Sequence, residues 1–201
     1  LGINKFNLEG VNGEATNWLE FGKWYYETLI KDGLELPEST KKKIIQLTSS
    51  THNPLEKSKI IYNYVQEKVR YISVQVGIGG FKPMLANEVD NLGYGDCKAL
   101  TNYTVALLNV VGIKAYHTLI YANRRRDLDA NVASQQGNHM ILNLPINGED
   151  IWLECTSQKR PFGEIGDFTD ARDALVITPE GGIIKHTKVD ESVDGTKKYL
   201  F

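Results

Sequence analysis

Cysteine is scarce in this chain of 201 residues: there are two, Cys97 and Cys155. Two are too few for a disulfide framework and lack metal-site spacing, though a single bridge between them stays open. Charge of one sign is also lacking. Twenty-three Lys plus Arg stand against 25 Asp plus Glu, a formal charge of −2. That leaves no basic footprint for displacing counterions from nucleic acid. The most apolar stretch, Val105 to Ile113, is interrupted by Asn109 and Gly112, well short of the ~18 apolar residues of a membrane span. There is no internal repeat and no low-complexity segment. The opening residues, Leu1-Gly2-Ile3-Asn4, carry neither an initiator Met nor a signal-peptide pattern. They read as the start of an excised fragment, which leaves the compartment open. What is present, 41% hydrophobic and 24% charged residues, is the composition of a globular chain long enough for one sizeable core.

The first third reads as helical. Thr16 is placed to cap a helix over Asn17 to Lys31, with Trp18, Phe21, Tyr25 and Leu29 at helical spacing. Pro37 opens a second helix through about Leu47. A third has the best start signal in the chain: Asn53 as cap, Pro54 at the first helical position and Glu56 three residues on. The texture then changes. Tyr71 to Val76 alternates with strand period, and Gly77, Gly79, Gly80 and Pro83 end regular structure. Leu100, Tyr103, Thr104, Leu107, Leu108 and Val111 form a helical stripe closed by Gly112. Strand-like segments follow at Lys114 to Tyr121, His139 to Leu144, Asp150 to Glu154, Ala174 to Thr178 and Ile183 to His186, with Asn147-Gly148 and Gly181-Gly182 supplying turns. Helices first and antiparallel strands after is an α+β pattern. One domain is expected over 1–201, with a helical segment at 1–50, a core at 51–188 and a tail, or the start of a next domain, at 189–201.

Gly95-Asp96-Cys97 precedes the helical stripe, so Asp96 is the expected cap and Cys97 lies in the first turn. Unpaired amides and the helix dipole favour an anion there, and a thiol so placed has more of the reactive thiolate. A cysteine is otherwise a small buried hydrophobe; placement at the helix start favours the nucleophile. Asp96 opposes a negative sulfur, so a cationic partner is required. His139 is the best candidate, for a geometric reason. If Asn147 and Gly148 are the central residues of a two-residue hairpin, Ile146 faces Glu149, Met140 faces Cys155 and His139 faces Thr156. Side chains alternate by twos, so His139 and Glu154 share a face as a diagonal pair, roughly 7–8 Å apart at the backbone. A one-residue bulge would separate them. The same register turns Cys155 to the other face, with Leu142 and Leu153, as a packing residue.

A thiolate, an imidazole and an orienting carboxylate make a Cys-His-acid triad suited to acyl transfer through a thioester. The Cys97 backbone N–H is one natural oxyanion donor, and Gln75 a candidate second one, with a surface role the commoner fate of a glutamine. At these residues the chain resembles the transglutaminase-like superfamily. The elements that carry the resemblance are Tyr94-Gly95-Asp96-Cys97-Lys98, Asn138-His139 and Trp152-Leu153-Glu154-Cys155-Thr156. Val69-Arg70-Tyr71 and the Gly77 to Pro83 turn are further similar to the transglutaminase-like domain of multidomain bacterial proteins in which a domain of unknown function comes first. The resemblance covers about Trp18 to His186. It implies a papain-like α+β fold with a Cys-bearing central helix on an antiparallel sheet. It also implies Cys97 as nucleophile, His139 as base and Glu154 as acid, where most of the superfamily has Asp. It further implies a peptide or protein substrate, flanking domains, and an exported, periplasmic or surface setting in a bacterium. No cofactor or metal is expected. Hydrolysis is expected over cross-linking, since water is always available. Protein-glutamine transamidation, and a non-catalytic protein- or glycan-binding module, are the alternatives, because this fold hosts several functions.

Other signals point elsewhere. Gly77-Ile78-Gly79-Gly80-Phe81-Lys82 lacks the spacing of a phosphate loop and reads as a turn beside the site. Arg124-Arg125-Arg126 is followed by Asp127 and Asp129, a solvated loop. His52, His117 and His186 lack metal-ligand spacing and read as surface or packing residues. The polar stretch from Asn123 to Asn138 ends at His139 and is expected to border the cleft. Tyr94 and Trp152 are candidates for its wall, although a tryptophan beside the site more commonly belongs to the core.

Overall fold

A helical first half and a strand-rich second half are both present in the computed structural model, which describes residues 4–73, 77–122 and 126–189. Before the first helix stands a hairpin that the sequence pattern did not suggest. Strands β1 (Asn4–Leu8) and β2 (Val11–Ala15) pair around Glu9 and Gly10, both at positive φ, 46° and 91°. This is a type I′ turn, usually signalled by Asn-Gly or Asp-Gly. Helix α1 (Trp18–Tyr25) is capped by Asn17, whose side chain accepts from the Glu20 amide at 3.0 Å. Thr16, the expected cap, instead donates its amide and hydroxyl to the Glu20 carboxylate, each at 2.7 Å. The α-helix stops short of Lys31: a π turn over Tyr26–Ile30 and a 3₁₀ turn over Lys31–Gly33 follow. The wider turn brings Leu29 and Ile30 to the core together.

Helices α2 (Glu38–Leu47) and α3 (Pro54–Lys68) begin where Pro37 and Asn53-Pro54 predict, the Asn53 side chain accepting from the Leu55 amide at 2.8 Å. Strand β3 is short, Arg70–Tyr71, and pairs in parallel with β4 (Tyr94–Gly95). Between them lie the 3₁₀ turn Gly77–Gly80 and α4 (Ala86–Leu92). Of the strand expected over Tyr71 to Val76, only Tyr71 belongs to β3; Ile72 and Ser73 are irregular, and Val74 to Val76 lie outside the described residues. Helix α5 (Cys97–Val110) follows. The expected single apolar stripe is too narrow a description, because every residue from Cys97 to Leu108 is buried. A helix enclosed on all sides needs partners for its polar groups. Asn102 donates to the carbonyls of Gly33 and Met84, and Thr104 to that of Leu100.

α5 packs between α2, α3 and α4 and a five-stranded antiparallel sheet. The strands are β5 (Tyr116–Ile120), β6 (His139–Ile146), β7 (Glu149–Leu153), β8 (Asp173–Thr178) and β9 (Gly181–His186), in the order β7-β6-β5-β8-β9. Asn147 and Gly148 have φ of 54° and 82°, a type I′ turn, and Ile146 pairs with Glu149 and Leu142 with Leu153, without a bulge. The register predicted from two turn residues therefore holds along the whole ladder. The second hairpin differs from expectation. Thr178 pairs with Gly181, so Pro179 and Glu180 make the turn, while Gly181 and Gly182 begin β9. Their small size serves packing instead: a Cβ on Gly22 of α1 would lie 2.2 Å from the Gly182 Cα.

Candidate active site

Asp96 caps α5 with both its oxygen types. Its side chain accepts from the Ala99 amide at 3.0 Å, and its carbonyl from the Leu100 amide at 2.9 Å. The remaining first-turn amides, those of Cys97 and Lys98, have no acceptor inside the helix and sit at the positive end of its dipole. The negative charge that Asp96 would direct at the sulfur is matched by an ion pair with Lys98 Nζ, both side chains being buried. Sequence reasoning missed this role of Lys98. The signal was available in the Asp-Cys-Lys order, since a lysine two residues beyond a buried aspartate can fold back on it.

His139 opens β6, and Glu154 follows the last residue of β7. The imidazole Nε2 and Glu154 Oε2 are 2.8 Å apart. The other carboxylate oxygen accepts from the Thr156 amide at 2.9 Å and its hydroxyl at 2.5 Å, and the Glu154 carbonyl accepts from Tyr62 Oη at 2.8 Å. Cys97 and His139 stand on the wall of one cavity, close enough for the sulfur to favour the charged imidazole. The Phe168 ring, 5.8 Å away between centroids, covers the imidazole. Burial disfavours charge on His139, but its interactions with the nearby Cys97 sulfur and the hydrogen-bonded Glu154 carboxylate outweigh it and lift its pKa to about 10. Burial would likewise raise the Glu154 carboxyl. Hydrogen bonds and charge from His139, and the two bonds from Thr156, instead hold it below the usual carboxylate range. The pair is therefore imidazolium and carboxylate at neutral pH.

Cys155 lies in the core with Leu142 and Leu153, and burial pushes its thiol up to about 12. Both cysteines are free thiols. Cys97 and His139 face a cavity of about 360 Å³. One wall is the glycine turn, through Gly77, Gly80 and Phe81, whose carbonyl accepts from the buried Tyr25 hydroxyl at 2.6 Å. Another is the segment before β6, through Gln135 and Asn138. Asn138 accepts from the Ala122 amide at 2.7 Å, which ties the approach to His139 to the end of β5. The tip of the first hairpin, Glu9, completes the rim.

Neither Tyr94 nor Trp152 is among the described residues lining this cavity. Trp152 is buried with Ile120, Ile141 and Ile165; it shares a face with Glu154 but stands one strand repeat, about 7 Å, further along. Tyr94 is held in β4 opposite Arg70. Gln75 lies outside the described residues. Three side chains, Asp127, Asp173 and His186, bring ligand-type atoms within 4.8 Å of one another. They satisfy each other, however: His186 Nδ1 is 2.8 Å from Asp173 Oδ1, and Asp127 accepts from the Asp173 amide at 2.8 Å. None of them lines the Cys97 cavity. His117 is a core residue 3.1 Å from Asn102 Oδ1, and burial pushes its pKa down to about 3.

Residues 41–157 match the family model described as the transglutaminase-like superfamily. A solved structure of a candidate protease from Parabacteroides distasonis aligns with a TM-score of 0.58 at 16% identity, over 93% of this chain and 40% of that one. A candidate cysteine protease from Cytophaga hutchinsonii aligns with a TM-score of 0.45 at 19% identity, over 63% of this chain and 42% of that one. The chain thus spans less than half the length of either solved protein. No curated protein matches it in sequence.

Proposed function

Since the chain belongs to the transglutaminase-like superfamily, we propose that it is a thiol-dependent acyl-transfer enzyme acting on peptide or protein amides, with Cys97 as nucleophile, His139 as acid and base, and Glu154 as the group that holds the imidazole. The observation that carries this reading is that Cys97 and His139 line one cavity while His139 is hydrogen-bonded to Glu154 at 2.8 Å. An imidazolium beside a sulfur stabilises the thiolate, and a carboxylate beyond it stabilises the imidazolium. The thiolate attacks the amide carbonyl, and the Cys97 amide at the helix start is positioned for the developing oxyanion. Collapse to the thioester expels the amine, which takes the imidazolium proton. The neutral ring then draws a proton from water as it attacks the thioester, and acid and thiolate are released. Hydrolysis is favoured over amine transfer because water enters an open cleft unaided, whereas transamidation requires its exclusion. The protease description of the Parabacteroides structure agrees with a peptide substrate.

Alkylation by iodoacetamide with mass-spectrometric mapping tests the reading. Cys97 is expected to react at neutral pH, more slowly in His139→Ala, with Cys155 silent. Peptide libraries incubated with and without a primary amine then report the reaction: cleaved fragments for hydrolysis, amine adducts for transamidation. A Cys97→Ala protein that retains every activity of the wild type would end the proposal.

A further inference from the structure

Glu9 occupies the left-handed region at the tip of the β1–β2 hairpin, with φ of 46°. A type I′ turn ordinarily fills that place with Asn, Asp or Gly, and glutamate there is strained. Strain retained at the rim of a cleft raises the question of what the side chain does. The hairpin is firmly seated. Phe6 packs on Phe21 and Trp24 at centroid distances of 5.3 and 4.8 Å, and Trp24 Nε1 donates to the Asn12 carbonyl at 3.1 Å. This seating brings Glu9 to the wall of the Cys97 cavity. A shorter Asn would turn the chain as well; glutamate adds a carboxylate on a longer arm.

The charges around the cavity do not balance. Lys98 is the lining cation among the described residues outside the imidazole, and its charge is matched by Asp96. The imidazolium of His139 is paired with Glu154 and, in the thiol-enzyme reading, also serves the Cys97 thiolate, so it has no charge to spare. Glu9 has no ion-pair partner among the described residues. Gln135, on the same cavity, buries its side-chain oxygen with no hydrogen-bond partner. Two acceptors are thus left over, one of them charged. Their complement is a cation carrying several N–H donors, and a site with an unpaired buried acceptor discriminates strongly against ligands that lack the donor.

We propose that the Cys97 cavity recognises a primary ammonium group on the acyl substrate, met by the Glu9 carboxylate and the Gln135 side-chain oxygen while the scissile carbonyl lies at Cys97. This rests on the thiol-enzyme reading and adds its substrate class: peptides with a free α-amino group, or a lysine side chain, close to the scissile bond.

Two measurements keep the failure of this proposal apart from failure of the enzyme reading. The first needs no turnover. Modification of Cys97 by 2-aminoethyl methanethiosulfonate is compared with that by the 2-sulfonatoethyl reagent, each rate normalised to a small free thiol. The cationic reagent is expected to be favoured about tenfold, the scale of one unscreened charge pair near a surface. The preference should shrink in Glu9→Gln and invert in Glu9→Lys. Equal normalised rates in the wild type, or an unchanged ratio in Glu9→Gln, would overturn the proposal. The second compares kcat/KM for peptides with free and acetylated N-termini, and with lysine and norleucine. A loss on acetylation assigns the ammonium to the terminus, and a loss with norleucine to the side chain. Equal values for all four peptides overturn the proposal and leave the thiol chemistry standing. No turnover of any peptide, with the reagent preference intact, removes the enzyme reading and supports the ammonium site.

Discussion

His139 and Glu154 meet just beyond the end of a β-ladder: their Nε2 and Oε2 atoms are 2.8 Å apart, although β7 stops at Leu153. Freed from the ladder, Glu154 directs one oxygen to the ring and the other to Thr156. Replacing it by Gln removes the charge that supports the imidazolium while leaving the shape. Steady-state kinetics on a substrate identified by library cleavage should show kcat reduced by about 10²–10⁴ in Glu154→Gln. Glu154→Asp, one methylene shorter, should lose less because it keeps the charge. Near-normal kcat in Glu154→Gln would deny the carboxylate its role.

The same pair gives stability a pH signature. The His139 pKa is raised to about 10 from an ordinary 6.5, so its contribution is complete below about 6.5 and fades as pH climbs to 10. Glu154 is lowered from an ordinary 4.5, so its contribution is complete above that value and disappears as pH falls through its folded pKa. The difference in Tm between wild type and Glu154→Gln should peak between about pH 4.5 and 6.5 and close towards pH 10. A gap that does not vary with pH would contradict the charged pair.

A half-buried carboxylate joins the helices away from the cavity. Asp90 on α4 accepts from Lys68 Nζ and Tyr103 Oη, each at 2.6 Å, and from Thr40 Oγ1 at 2.8 Å. Asp90→Ala leaves three donors without their acceptor and should cost about 2–4 kcal/mol in urea unfolding, and Tyr103→Phe about 1 kcal/mol. Alkylation of Cys97 should be unchanged in both.

Gly22 and Gly182 let α1 approach β9 backbone to backbone. A methyl at Gly22 would meet the Gly182 Cα at 2.2 Å and its amide nitrogen at 2.3 Å. Gly22→Ala should therefore destabilise by about 1–3 kcal/mol or more, as overpacking does. At Gly79 a Cβ meets nothing within 4 Å, and Gly79→Ala should change unfolding by no more than about 0.5 kcal/mol. Thermal melts of the two variants make the comparison.

Legibility in the sequence followed the reach of each signal. Asn147-Gly148 is a local signal with a long consequence, because period-two alternation carries a register outward to His139 and Glu154. Asn53-Pro54 and Asp96 are local caps and were readable for the same reason. Glu9-Gly10 hid a turn of the same type, since glutamate is not a residue that signals positive φ. The π turn after Tyr25 answers to the core that Leu29 and Ile30 enter, which no helical window contains. Lys98, Thr156 and Phe168 act through partners brought near by the fold. Trp152 shares a face with Glu154, as alternation requires, yet alternation is silent on which cavity a side chain borders.

Because α5 is encased from Cys97 to Leu108, the sulfur has almost no mechanical compliance of its own; displacing it would mean dragging the packed interior along. Accommodation of differently shaped guests must then fall to the surrounding surface pieces, the glycine turn, the segment leading into β6 and the first hairpin. A change in what the cavity admits would arise in those pieces while the Cys97 sulfur stays anchored.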